Sequence, residues 1–169
     1  MRRTFGSRVV VLLALGVSAC GGSNGPGSLT GDPTYAFDVK SAFLVHLSAG
    51  EVTVPEVLLT DQPWTCADLK AQAAGEAQIS SFVAIGFGNT SGAAVTAGDF
   101  TVVGLNGEPT GSYALVILSS GSNDMDVTSG TATLDDLTTT HAEGSFEVTD
   151  GTAQVSGTFD ADFCDVDLQ

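Results

Sequence analysis

The sequence predicts an all-β domain, an antiparallel β-sandwich of about eight strands with one short helix. Apolar residues recur at period two in short segments separated by Gly, Asn, Asp and Ser turns, and only one stretch carries helix signals. A small β-barrel is the alternative closure of the same strands. Unequal segment lengths and Pro55, a residue that favours sheet edges, point to the sandwich.

The chain opens MRRTFGSR, with Arg2, Arg3 and Arg8 and no acid, followed by the apolar run Val9 to Val17 and the small residues Ser18 and Ala19. This is the tripartite pattern of a secretory signal peptide over residues 1–19. The run falls short of the roughly 20 apolar residues that a membrane-spanning helix needs. Val17-Ser18-Ala19-Cys20 resembles the bacterial lipobox, with Val17 where that family more often has Leu. The resemblance implies a thioether-linked diacylglycerol on Cys20, which becomes the acylated first residue after cleavage and anchors the chain to a membrane. Gly21 in place of Asp resembles the outer-membrane sorting pattern. The alternative is a plain secreted protein with an unmodified Cys20.

Gly21 to Thr34 (GGSNGPGSLTGDPT) reads as a flexible tether with a root-mean-square span of about 20 Å, so residues 20–34 form the lipidated Cys and linker, and 35–169 the domain. Gly21-Gly22-Ser23-Asn24-Gly25 fits the hydrolase elbow G-x-S-x-G. It lacks the strand before and the helix after that the elbow requires.

Within the domain, Tyr35 to Leu47 alternates, placing Tyr35, Phe37, Val39, Phe43, Val45 and Leu47 on one face and Asp38, Lys40 and His46 on the other. His46 is accordingly expected in solvent. Val52 to Leu59 changes phase at Pro55, as a bulged edge strand would. Thr65 followed by Asp68 signals a capping box, and ADLKAQAA supplies helix formers, with Cys66 in the first turn. Further strands are expected at 79–87, 99–105, 113–119, 125–134, 143–149 and 152–164. Asp150-Gly151 predicts a two-residue type I′ hairpin, with Phe146 opposite Val155, Val148 opposite Ala153 and Ala142 opposite Phe159.

Three cysteines leave one unpaired. With Cys20 assigned to lipid, Cys66 and Cys164 are expected to form a disulfide in an oxidising compartment. The competing reading of Cys66 is a reactive thiol at a helix N-terminus. The lipobox, the Cys66 segment and the ending GSFEVTDGTAQVSGTFDADFC together resemble small Cys-paired β-domain lipoproteins of Gram-negative envelopes. That resemblance implies an outer-membrane location and supplies no active-site residues.

Removal of residues 1–19 leaves two basic residues, Lys40 and Lys70, against all twenty acidic ones, a formal charge of −18. Such a surface argues against nucleic acid and anionic lipid headgroups as partners. Asp160 and Asp162 are calcium candidates, as is the run Asn123-Asp124-Met125-Asp126, but neither has EF-hand spacing, and chance clustering among so many acids is the simpler account. His46 and His141, the only imidazoles, have no sequence context that pairs them with a nucleophile, and His141 reads as a loop residue. No cofactor motif is present. The expectation is a non-enzymatic envelope lipoprotein that binds a protein or polysaccharide partner. The alternative is a carbohydrate- or small-apolar-ligand-binding module, with Trp64 as its one candidate contact unless Trp64 covers the disulfide, and a small hydrolase ranks last. Asn89-Thr90-Ser91 matches a glycosylation sequon that a bacterial chain leaves unused.

Overall fold

The computed structural model describes residues 25–49, 52–74 and 79–166. Their strands are β1 (Gly27–Gly31), β2 (Ser41–Ala49), β3 (Val52–Thr60), β4 (Ser81–Asn89), β5 (Gly98–Val103), β6 (Ser112–Ser120), β7 (Asn123–Met125), β8 (Ser129–Leu137), β9 (His141–Thr149) and β10 (Gln154–Phe163). One helix, α1 (Cys66–Ala73), follows β3. Neighbouring strands run β10-β2-β3-β4-β6-β5-β8-β9, and β9 pairs back onto β10. The domain is therefore a closed eight-stranded barrel rather than a sandwich. It is also mixed rather than antiparallel, because β10 meets β2, and β5 meets β6, in parallel. Closure removes the exposed edges that an open sheet must otherwise protect.

Pro55 does not mark an edge. β3 lies between β2 and β4, and its register with β2 runs unbroken from Ser41↔Thr60 to Ala49↔Val52, without a bulge. The β3–β4 ladder begins only at Glu56, so Pro55 sits where β4 makes no demand on its missing N–H. The phase change in the sequence has a different cause: these strands are apolar on both faces. Leu44, Val57, Leu59, Val83 and Ile85 fill the barrel, while Phe43, Val45, Leu58 and Ala84 form a second cluster outside it with Leu69 of α1. The expected strand from Tyr35 begins only at Ser41. Tyr35, Phe37 and Val39 precede it and pack against the interior cluster.

The interior is filled by side chains. Phe87 meets Phe100 edge-on with centroids 5.0 Å apart and lies 6.3 Å from Phe159. Phe146 and Phe159 each stand opposite a glycine, Gly157 and Gly144, and a Cβ at either glycine would overlap the facing ring. The β9–β10 register is displaced by two residues from the expected hairpin, with Val148↔Val155 and Ala142↔Ala161. An even displacement keeps every side chain on its expected face. A type I′ turn needs positive φ at both central residues, and only Gly151 (φ 91°) has it. Asp150 instead accepts from the N–H groups of Thr152 and Ala153, both at 2.7 Å, and closes a four-residue loop. Those two amides, Ala153's first, hold its carboxyl below the usual range.

β1 lies within the segment expected to be a tether. It pairs antiparallel with β10, and Leu29 is buried. Gly27 and Gly31 have φ of 145° and 125°, and a Cβ on either would overlap a β10 carbonyl, so these glycines permit close approach rather than flexibility.

Candidate functional sites

α1 begins as the sequence predicts. Thr65 is the N-cap and Asp68 closes the capping box, its carboxylate accepting from the Thr65 N–H at 2.8 Å and the Thr65 hydroxyl at 2.7 Å. The hydroxyl first and then the N–H depress the Asp68 carboxyl. This cap presents Cys66 to Cys164, and the two form a disulfide with Cα atoms 5.5 Å apart. Cys66 is thus not a free thiol. Trp64 is half-buried against the same external cluster, and its carbonyl accepts from the Ser41 hydroxyl at 3.0 Å. Cys20 lies outside the described residues.

His46 is not on a solvated face. It shares the inward phase of Leu44 at one end of the barrel, where its ring lies 4.9 Å from that of Phe163, with Pro55 opposite it in register. Val95, Leu137 and Thr138 complete a mouth cleft of about 370 Å³. Among the described residues no carboxylate pairs with His46, and the mouth presents apolar surface and hydroxyls.

His141 opens β9, opposite Asp162, and its Nδ1 lies 3.5 Å from Asp162 and 3.7 Å from Asp160. The structure thus joins the two calcium candidates to an imidazole that the sequence left in a loop. The Asp162 side chain is 95% exposed, so screening by water leaves the contact weak. Among the described residues no His, Cys, Asp or Glu cluster is arranged to hold a metal ion. Asn123 to Met125 form β7, paired with β6, rather than a loop around an ion. Asn89 accepts from the N–H and hydroxyl of Ser91 in a local turn.

Two outer faces stand out. Across β1, β10, β9, β8 and β5 the register aligns Ser28, Thr158, Ser145, Thr133 and Asp99 in one row. The Ser28 and Thr158 hydroxyls lie 3.0 Å apart, and Thr133 donates to Asp99 at 2.9 Å. A shallow cleft of about 320 Å³ runs over this hydroxyl face.

The second face lies across β3, β4 and β6. There Glu56, Gly86 and Leu115 form one row, and Leu58, Ala84 and Ile117 the next. Leu115 and Ile117 are 37% and 45% exposed. Partial burial raises the Glu56 carboxyl above the ordinary glutamate range. The sequence reading missed this face. Its signal was a glycine at every second position, Gly86 and Gly88, on the outward phase of β4.

Fold and sites together define a packed, disulfide-stapled mixed barrel whose outside carries a row of hydroxyls and an exposed aliphatic pair. Comparison with protein-family models, with curated proteins and with solved structures finds no match. No helix among the described residues is long and apolar enough to cross a membrane.

Proposed function

We propose that this protein is a cell-envelope lipoprotein, acylated on Cys20 and held at an outer membrane, whose barrel binds a partner by surface contact and not by turnover. The filled interior carries the reading: catalysis and small-ligand capture call for a concave site with convergent polar groups, and here Phe87, Phe100 and Phe159 occupy the centre. Anchoring rests on the lipobox-like Val17-Ser18-Ala19-Cys20. Because β1 begins at Gly27, the seven residues from Cys20 onward reach no more than about 25 Å even when fully extended. An acylated Cys20 would hold the barrel against the membrane, and two or three acyl chains at about 0.8 kcal/mol per buried methylene make such an anchor lasting.

Mass spectrometry of the N-terminal peptide from the membrane fraction should show acyl mass on Cys20, and Cys20→Ser should shift the domain to the soluble fraction. An unmodified Cys20 in the wild type overturns the anchoring. His46→Gln and His141→Gln should complement a deletion strain fully, and a folded variant that fails to complement overturns the contact reading.

The hydroxyl face supports a second reading, an envelope polysaccharide as the partner. Thr158→Val with Ser145→Val should then weaken retention of the protein on isolated envelope polysaccharide, and unchanged retention removes that reading.

A further inference from the structure

Three unusual features meet on the outer face of β3, β4 and β6. The first is Gly86. A glycine inside a strand weakens it and often marks a bend, a bulge or the close approach of another group. Most inward or paired glycines here are required. Gly88 lies under the Tyr113 ring, whose Cζ would be 2.5 Å from an added Cβ, and Gly144 and Gly157 face Phe159 and Phe146. Gly86 is not required: its φ is not positive, β4 continues past it without a bulge, and an added Cβ would meet only Glu56 Oε2 at 3.8 Å. The space above it is open.

The second feature is Glu56, beside Gly86 in register and half-buried, with no donor or cation on its carboxylate among the described residues. A partly desolvated carboxylate without a partner destabilises the fold it belongs to. The third is the aliphatic pair Leu115 and Ile117 on the opposite side, two of the three large apolar side chains most exposed among the described residues. The third of these, Leu105, lies elsewhere, between β5 and β6. Between Ala84, buried in the cluster under α1, and Gly88, roofed by Tyr113, Gly86 thus floors a short groove with a carboxylate wall and an aliphatic wall. At the Gly88 end it meets a cleft of about 260 Å³ bounded by Tyr113 and residues 92–95.

We propose that this groove docks a segment of another protein that presents a lysine or arginine to Glu56 and apolar side chains to Leu115 and Ile117. The proposal rests on the reading of the barrel as a contact module and specifies the partner. Charge selects that partner. A second copy is disfavoured, because the described residues hold only two cations: Lys40, paired with Asp38, and Lys70, on α1. A chain of formal charge −18 after loss of residues 1–19 repels its own copies, just as it repels anionic lipid and nucleic acid. A cationic segment is drawn in by the whole surface and finds in Glu56 a carboxylate already shielded from water, where a charge-assisted hydrogen bond is strongest.

The test uses the full mature domain, isotope-labelled, at physiological salt. The probe is a short synthetic peptide alternating leucine and lysine, with its leucine–glutamate counterpart as control. Amide shifts should be confined to Glu56, Ala84 to Gly88 and Tyr113 to Ile117. Glu56→Gln should weaken binding about tenfold or more, as loss of a shielded ion pair does. Gly86→Val should abolish binding while leaving the melting temperature equal or higher, which separates groove filling from misfolding. Shifts spread over all acidic faces, or undiminished in Gly86→Val, overturn the proposal. So does concentration-dependent broadening of the same residues without peptide, which would make a second copy the occupant. None of these outcomes bears on the histidine variants, which test the contact reading by itself.

Discussion

Breaking the Cys66–Cys164 disulfide should cost about 4.7 kcal/mol. The bond closes a loop of 98 residues, and the chain-entropy relation for a loop of that length gives this figure. Domains of this size have roughly 5–15 kcal/mol in total, so the reduced barrel should stay folded but become marginal. The barrel's geometry says where the loss will show first. β10 and β2 share only two register pairs, Asp162↔Phe43 and Phe163↔Leu44, extended by the Cys164 N–H donating to Leu44 at 2.8 Å. This is the thinnest junction in the ring, and the disulfide lies at its end. The bond ties β10 to α1, which packs through Leu69 on the outer face of β2 to β4. Urea unfolding of the oxidised protein and of Cys66→Ala/Cys164→Ala should differ by 4–5 kcal/mol after linear extrapolation, with a melting temperature roughly 10–20 °C lower in the variant. Amide exchange at Leu44 and at position 164 should accelerate before that at Val148 or Ile85. A difference under about 1 kcal/mol would refute the loop-entropy reasoning. Uniform acceleration across all strands would refute the seam.

Two further substitutions test the account of the fold. Glu56→Gln should stabilise the barrel at pH 7: burial raises the folded-state pKa, so the wild-type glutamate is least costly below its unfolded pKa and loses that advantage as pH rises through the folded one. The gain should therefore shrink towards zero as pH falls below about 4, and a variant no more stable than wild type at pH 7 would refute the desolvation. Gly144→Ala should destabilise by about 1–3 kcal/mol or more, because its Cβ would overlap the Thr133 carbonyl and come 2.7 Å from Phe159 Cζ. Gly86→Ala, with only a 3.8 Å contact, should be neutral or stabilising in the same thermal assay, and equal losses at the two sites would contradict the packing described.

What could be read in the sequence was what depends on near neighbours. The capping box of Thr65 and Asp68 spans three residues, and β5, β6, β9 and β10 follow local alternation, whereas the single strand expected at 125–134 is broken into β7 and β8, which pair with different neighbours. The disulfide followed from counting cysteines. Errors arose where one residue type serves two physical ends. Gly27 and Gly31 looked like linker, yet they are glycines because β1 approaches β10 too closely for a Cβ. Asp150-Gly151 looked like a type I′ turn, but the Asp150 carboxylate found the amides of Thr152 and Ala153 and lengthened the loop. From Ser41 onward the face that looked polar turns inward, because α1 covers the other side and Leu44 fills the barrel. His46 follows Leu44 in phase and is carried to the mouth. Closure itself was not readable, because it depends on β10 exchanging β1 for β2 along one edge.

The open position at Gly86 shows why a feature of the outer surface escapes a reading of the sequence even when its residues are conspicuous. In SFVAIGFGN the two glycines look alike: both fall on the outward phase, two residues apart, on either side of Phe87. Their difference is made by a strand distant in the chain. The β4–β6 register sets Tyr113 opposite Gly88 and Leu115 opposite Gly86, so one glycine is roofed by an aromatic ring and the other left open beside Glu56. A displacement of β6 by two residues would keep its buried face unchanged and exchange these neighbours. Inside the barrel the same displacement would move Ala114 away from Phe87 and set Val116 there instead, so both faces depend on register. The character of the outer face therefore depends on register as the inner packing does, and periodicity, which reports only which face is buried, cannot reveal it.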